Sequence, residues 1–207
     1  MSARLAARDL GCMRGPATLF RGLSFGIAAG EWVAVRGPNG SGKTTLLRCV
    51  AGLTRPEHGA VTWDEAPISR RRTHYHASLL YAGHLPGLKD DLDAEENLRG
   101  ALRLRGVAVP EAAFAAALAD VGLERRRRLP ARRLSAGQRR RIGLARLILD
   151  PAPLWVLDEP LTALDDAGER LFERLLGRHL AGGGLALIAT HHELQGAPPA
   201  RTLGMGA

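Results

Sequence analysis

The chain has 207 residues, 29 Lys and Arg against 21 Asp and Glu, 45% hydrophobic residues and two cysteines. That length can bury a real core in one substantial α/β domain or two small ones. The apolar fraction excludes a disordered chain, and two cysteines exclude a disulfide scaffold. The longest stretch free of Asp, Glu, Lys and Arg, Thr73 to Leu88, is 16 residues long and holds three histidines, too short and too polar for a bilayer helix. The opening MSARLAARDL lacks the apolar core of a signal peptide, so the expectation is a soluble protein kept where thiols stay reduced. Lys43 and Lys89 are the only lysines, so the net charge of +8 is an arginine excess. Its runs at 70–72, 125–128 and 139–141 lie in separate segments with few aromatics among them. They read as solvated surface rather than a nucleic-acid face.

The first 30 residues alternate weakly between apolar and polar, with turn signals at Gly11, Gly15-Pro16 and Gly30. They predict short strands of a small antiparallel sheet. WVAVR at 32–36 is a compact apolar strand, and 42–51 reads as a helix. A strand at 60–64 and an apolar run at 78–81 follow. From 93 to 149 the pattern turns helical, and this block predicts an inserted helical subdomain. Strand signals return in LWVLD at 154–158 and LALIAT at 185–190, with a helix between them over 166–180. Short, wholly apolar strands alternating with helices imply a mainly parallel sheet covered on both faces, within a single domain spanning 1–207.

Between the strand at 32–36 and the following helix stands Gly37-Pro38-Asn39-Gly40-Ser41-Gly42-Lys43-Thr44, which fits G-x-x-x-x-G-K-[ST] at every fixed position. Glycines let the backbone curl so that its N–H groups face phosphate oxygens, and the helix N-terminus adds partial positive charge. Lys43 then reaches the outer phosphates, the Thr44 hydroxyl serves Mg²⁺, and Thr45 completes the nucleotide-binding set. The plain alternative, a Gly-rich turn with an incidental lysine, does not explain the strand–loop–helix context. Asp158 and Glu159 end an apolar strand at the sheet edge where ligands bind in parallel α/β folds. Asp158 is the expected Mg²⁺ residue, and Glu159 the group that orients and polarises the attacking water.

Leu134-Ser135-Ala136-Gly137-Gln138 resembles the LSGGQ signature of ATP-binding cassette (ABC) ATPases, with Ala136 in place of one glycine. With Thr162-Ala163-Leu164-Asp165 and Thr190-His191, the chain from about Leu5 to Glu193 is similar to one ABC nucleotide-binding domain, a P-loop NTPase fold. The resemblance implies that the signature segment serves nucleotide held by a second copy, that His191 is a catalytic switch histidine, and that Asp165 links the two sites. It implies a homodimer of ATPase subunits closing head to tail around two ATP molecules, docked on separate transmembrane subunits. His84 stands where most of the family carries a glutamine, so it is a further candidate Mg²⁺ contact; a plain structural histidine is the alternative. No Phe, Tyr or Trp precedes Phe20, so the aromatic that usually stacks on adenine is missing from 10–15; Arg14 reads as a plain loop arginine, with stacking through its guanidinium plane the alternative. Weak discrimination between ATP and GTP is expected.

The wording TLFRGLSF, AGEWV, YAGHLPGLK and LSAGQRRR resembles the cytochrome c maturation protein A (CcmA) family, ATP-binding subunits of the haem-exporter type. That resemblance implies an ATPase for c-type cytochrome biogenesis, peripheral on the cytoplasmic side of the bacterial inner membrane. No Cys-x-x-Cys-His motif occurs, so His74, His76 and His84 read as loop or surface histidines and no haem site or nucleic-acid partner is expected. An ABC ATPase serving another transported substrate, and a soluble ABC protein acting on nucleic acid or ribosomes, are the alternatives.

Overall fold

The computed structural model describes residues 3–206. In chain order its elements are strands β1 (Leu5–Arg14), β2 (Ala17–Ile27) and β3 (Trp32–Arg36), helix α1 (Lys43–Val50), strands β4 (His58–Trp63) and β5 (Ala66–Pro67), and helix α2 (Arg72–Ala77). Then come β6 (Leu79–Ala82), helices α3 (Ala94–Leu104), α4 (Glu111–Asp120) and α5 (Ala136–Leu149), β7 (Leu154–Asp158), α6 (Asp166–Ala181), β8 (Leu185–Ala189) and β9 (Arg201–Gly204). Two sheets form: antiparallel β2-β1-β4-β5, and β6-β7-β8-β3-β9, in which every neighbouring pair is parallel.

The inner strands of the parallel sheet are buried at nearly every position because each face has its own cover. Trp32, Ala34, Trp155, Leu157, Ala186 and Ile188 share one core with Leu98 and Leu102 of α3, Phe114 and Leu118 of α4, Ile142 of α5, and Phe172 and Leu176 of α6. The alternate residues Val33, Val35, Leu154, Val156, Leu185 and Leu187 pack on the other side with Leu46 and Leu47 of α1 and with Leu5, Leu10, Val61 and Trp63 of the antiparallel sheet. Period-two alternation therefore produces two cores from one set of short strands. Each fully buried leucine or valine contributes about 1.5–3 kcal/mol. Cys12 and Cys49 belong to the second core as buried free thiols.

Local chemistry sets the helix starts. Asp93 caps α3 in a reciprocal box with Glu96 (2.8 Å in each direction), which fixes the start of that helix. Arg105 at the end of α3 pairs with the buried Asp150 at 2.7 Å and bonds the carbonyls of His76 and Ala77, tying α3 to the entry of β6. On β7, Trp155 stacks on His179 of α6 with ring centroids 3.9 Å apart and planes 10° off parallel, and His179 Nε2 donates to the Leu185 carbonyl at 3.2 Å. Among the described residues no helix is long and apolar enough to cross a membrane.

Four elements differ from expectation. β1 and β2 are not short: they form a hairpin of ten- and eleven-residue strands whose register shifts near Asp9, at φ 50°. These shifts break the alternation that would announce a long strand. Helix α2 is only six residues long, and β9 is an edge strand whose Arg201, Thr202 and Gly204 are exposed, so neither carries an apolar signature.

Candidate active site

Glycine at position 42 makes the phosphate loop possible. Its φ of 94° lies in the left-handed region, and it is the residue that starts α1, with no side chain capping the helix. The first N–H groups of α1 are thus left unclaimed by the Ser or Asp that usually satisfies them, which is the arrangement an anion site needs. Lys43 is buried and curls back over its own loop, donating from Nζ to the carbonyls of Gly37 (2.7 Å) and Pro38 (3.2 Å). Those neutral acceptors can be exchanged for phosphate oxygens in charge-assisted bonds, which are about twice as strong. Ser41 Oγ is buried with no hydrogen-bond partner among the described residues.

The loop opens on a cleft of about 300 Å³. Asn39, Gly40, Gly42, Lys43, Thr44 and Thr45 of the loop and the start of α1 line it, together with His84 and with Asp158 and Glu159 from the end of β7. Arg14 and Leu19, from the β1–β2 hairpin, complete the rim with no aromatic side chain among them. The parallel sheet brings these groups together because β3 and β7 flank β8 and end at the same edge. Thr44 Oγ1 donates to Asp158 Oδ2 at 2.7 Å, joining the start of α1 to the end of β7 across 114 residues.

Glu159 has φ 50°, a conformation costing a residue with a Cβ roughly 1–2 kcal/mol. It is held there by its N–H on the Ala189 carbonyl (2.9 Å) and by Thr162 N–H on its own carbonyl (3.3 Å). The turn aims its carboxylate at His191, whose Nε2 lies 3.3 Å from Oε1. That contact is not aligned as a hydrogen bond: Glu159 Oε1 is buried with no donor directed at it among the described residues. His192 faces elsewhere, pairing through Nδ1 with Glu169 of α6 at 3.2 Å.

The signature segment lies outside this cleft; none of Leu134, Ser135, Ala136, Gly137 and Gln138 lines it. Leu134 is buried in the helical core, and Ser135 is exposed and caps α5. Ser135 Oγ accepts from Gln138 N–H (3.2 Å) while Gln138 Oε1 accepts from Ser135 N–H (3.0 Å). A Cβ on Gly137 would sit 2.7 Å from the Ala163 carbonyl oxygen, whereas Ala136 is exposed. This explains why the signature tolerates a methyl at 136 and keeps glycine at 137. Asp165 caps α6, accepting from Gly168 N–H at 3.0 Å, and pairs with Arg141 at 2.6 Å. The Gly168 amide first, and Arg141 second, hold its carboxyl below the usual carboxylate range.

Sequence reasoning passed over Leu19 at the rim and, more consequentially, Arg140. The latter is buried on α5 and bonds the carbonyls of both Thr162 (3.3 Å) and His84 (2.9 Å). Its position as the middle residue of an Arg run disguised it as surface charge; only the helical step between neighbours could have separated the three.

The family model described as ABC transporter matches residues 20–162. The cytochrome c biogenesis ATP-binding export protein CcmA of Methylococcus capsulatus (strain Bath) is 48% identical over 203 residues, covering 98% of each chain. Among solved structures, an ATP-binding subunit of an ABC transporter is similar with a TM-score of 0.79 at 26% identity, over 92% of this chain and 80% of that one. A bacterial ABC transporter cassette solved as a dimer shares the fold, with a TM-score of 0.79 at 24% identity over 91% of this chain and 88% of its own. The α/β P-loop architecture expected from the sequence is the one observed, and a family match over more than half the sequence leaves one placement. The chain belongs to the ABC transporter family, as one of its ATP-hydrolysing cassettes.

Proposed function

We propose that this chain is the ATPase of a membrane export complex for cytochrome c biogenesis of the haem-exporter type, working as a homodimer. The reading makes residues 1–207 one nucleotide-binding domain with a helical subdomain at about 93–149. It places that domain peripherally, at the cytoplasmic face of the bacterial inner membrane against separate transmembrane subunits. Near-half identity to a full-length CcmA supports the assignment to cytochrome c biogenesis. The exposed, self-capped start of α5 does not line its own cleft, which supports a second copy whose nucleotide Ser135 and Gly137 serve.

The observation that carries the catalytic reading is the buried Oε1 of Glu159, an acceptor with no donor, in the cleft that the phosphate loop lines. It is the atom to which an attacking water donates, and His191, 3.3 Å away, stands beside it to meet the terminal phosphate. Lys43 and the N–H groups at the start of α1 bind and orient the phosphates, with Gly37, Pro38, Asn39, Gly40, Ser41, Gly42, Thr44 and Thr45 as the surrounding nucleotide contacts. The Thr44 hydroxyl and the Asp158 carboxylate, already 2.7 Å apart, are hard oxygen donors suited to Mg²⁺, with His84 lining the same cleft. When bound, Mg²⁺ neutralises charge on the phosphate oxygens.

Glu159→Gln tests the chemistry. The variant should bind ATP with unchanged affinity, lose about 10²–10⁴-fold in hydrolysis rate and accumulate as an ATP-bound dimer in size-exclusion chromatography. Substantial residual hydrolysis removes Glu159 from the water-activating role. Deleting the gene and staining periplasmic and membrane proteins for covalent haem tests the assignment. Loss of c-type cytochromes is expected, and normal cytochromes would leave an ATPase serving another cargo.

A further inference from the structure

Arg139, Arg140 and Arg141 are consecutive on α5, and successive helical steps send them to different surroundings. Arg139 pairs with Asp90 and Arg141 with Asp165, both carboxylates exposed at the surface. Arg140 turns inward, 9% exposed, and has no carboxylate partner among the described residues. Its guanidinium instead spans two loops: Nη2 donates to the carbonyl of His84, on the segment leaving β6, and Nε donates to the carbonyl of Thr162. Thr162 closes the turn of Glu159 through its own N–H.

A buried cation held only by neutral carbonyls is an expensive arrangement unless a structural demand requires it. Burial pulls the guanidinium below its ordinary pKa, and the charges of Asp158 and Glu159 act in the opposite direction. One side chain thus connects the helix that starts at Ser135 with the His84 carbonyl and, through Thr162, with the turn of Glu159. A planar fork can hold two carbonyls in fixed relation, which an ammonium cannot.

We propose that Arg140 is a positioning residue through which α5 sets the His84 loop and the Glu159 turn together, so that engagement of Ser135 by a second copy's nucleotide is transmitted to the cleft of the same chain. The role rests on the catalytic reading of Glu159 given above. It requires the guanidinium plane and not merely its charge, and it acts on hydrolysis rather than on nucleotide binding.

The test uses the full-length chain purified together with the membrane subunits that accompany it, in three forms: wild type, Arg140→Gln and Arg140→Lys. Affinity for a fluorescent ATP analogue should stay within about twofold in all three. The hydrolysis rate should fall roughly tenfold or more for Arg140→Gln, with Arg140→Lys between it and wild type. Amide hydrogen exchange of the full chain supplies the second measurement: Arg140→Gln should speed exchange about fivefold at 83–88 and 160–164 while leaving the core of β7 and β8 unchanged. Full rescue by lysine would reduce the role to charge and overturn the proposal. So would an unchanged rate, or exchange accelerated throughout the chain together with a lowered melting temperature. If Glu159→Gln proves fully active, the catalytic reading fails, while the local exchange result still decides whether Arg140 holds the two loops.

Discussion

On the proposed function two helix N-termini serve phosphate, and the molecule finishes them in opposite ways. At the start of α1, left-handed Gly42 supplies no cap, Lys43 lies over the loop, and the Thr44–Asp158 bond ties in the end of β7. At the start of α5, Ser135 and Gln138 satisfy each other's backbone N–H groups, and the segment is open to solvent. The first terminus has no side-chain cap, whereas the second carries a reciprocal one. Self-capping keeps α5 ordered when nothing is bound, at the expense of intrinsic anion affinity, since the N–H groups of Ser135 and Gln138 are already engaged. An anion there needs a second contributor, so nucleotide sandwiched between two chains is favoured over nucleotide bound at α5 alone.

That contrast can be broken most severely at Ser135. Ser135→Asp keeps an excellent helix cap and adds negative charge where a terminal phosphate must approach. We expect thermal stability equal to wild type and a loss of steady-state hydrolysis of about 100-fold or more at the oxyanion-donor scale, measured by phosphate release. Preserved hydrolysis would mean that α5 never meets nucleotide. Ser135→Ala gives a smaller effect of a different kind: about 1 kcal/mol of stability lost without nucleotide, read from urea denaturation, because the cap itself is gone. The smallest effect belongs to the rim of the first site. Arg14 offers a cationic plane and no base-reading aromatic, so ATP and GTP should be hydrolysed at rates within about threefold of one another. Arg14→Ala should raise KM for both about two- to fivefold, the weight of an exposed cation–π contact. A GTP rate far below that for ATP would show a base contact elsewhere.

The parts legible in the sequence share one property: their chemistry is contiguous. WVAVR, LWVLD and LALIA are short apolar runs buried at nearly every position, and the phosphate loop is eight consecutive residues between a strand and a helix. The hairpin β1–β2 was visible as strand but not in its length, because bulges near Asp9 displace the apolar residues from strict alternation. β9 completes the parallel sheet through backbone pairing with β3 while exposing most of its side chains, so its hydrogen bonds leave no compositional trace. Arg140 was hidden for a further reason. Three identical letters in a row report charge, and only the helical rotation, with carbonyls from two remote loops, shows that the middle one is internal.

The stacked pair Trp155–His179 carries a consequence for acid tolerance. Burial holds the imidazole below its ordinary pKa of 6.5, so the folded chain binds that proton less readily than the unfolded chain does. Stability is therefore full above pH 6.5 and declines as pH falls from 6.5 through the lower folded value, the direction linkage requires when the unfolded state takes up more protons. His179→Phe should flatten that acid limb in urea midpoints measured across the interval. Trp155 lies on the strand that ends in Asp158, so the ring that covers this imidazole belongs to the element carrying the first of the two carboxylates.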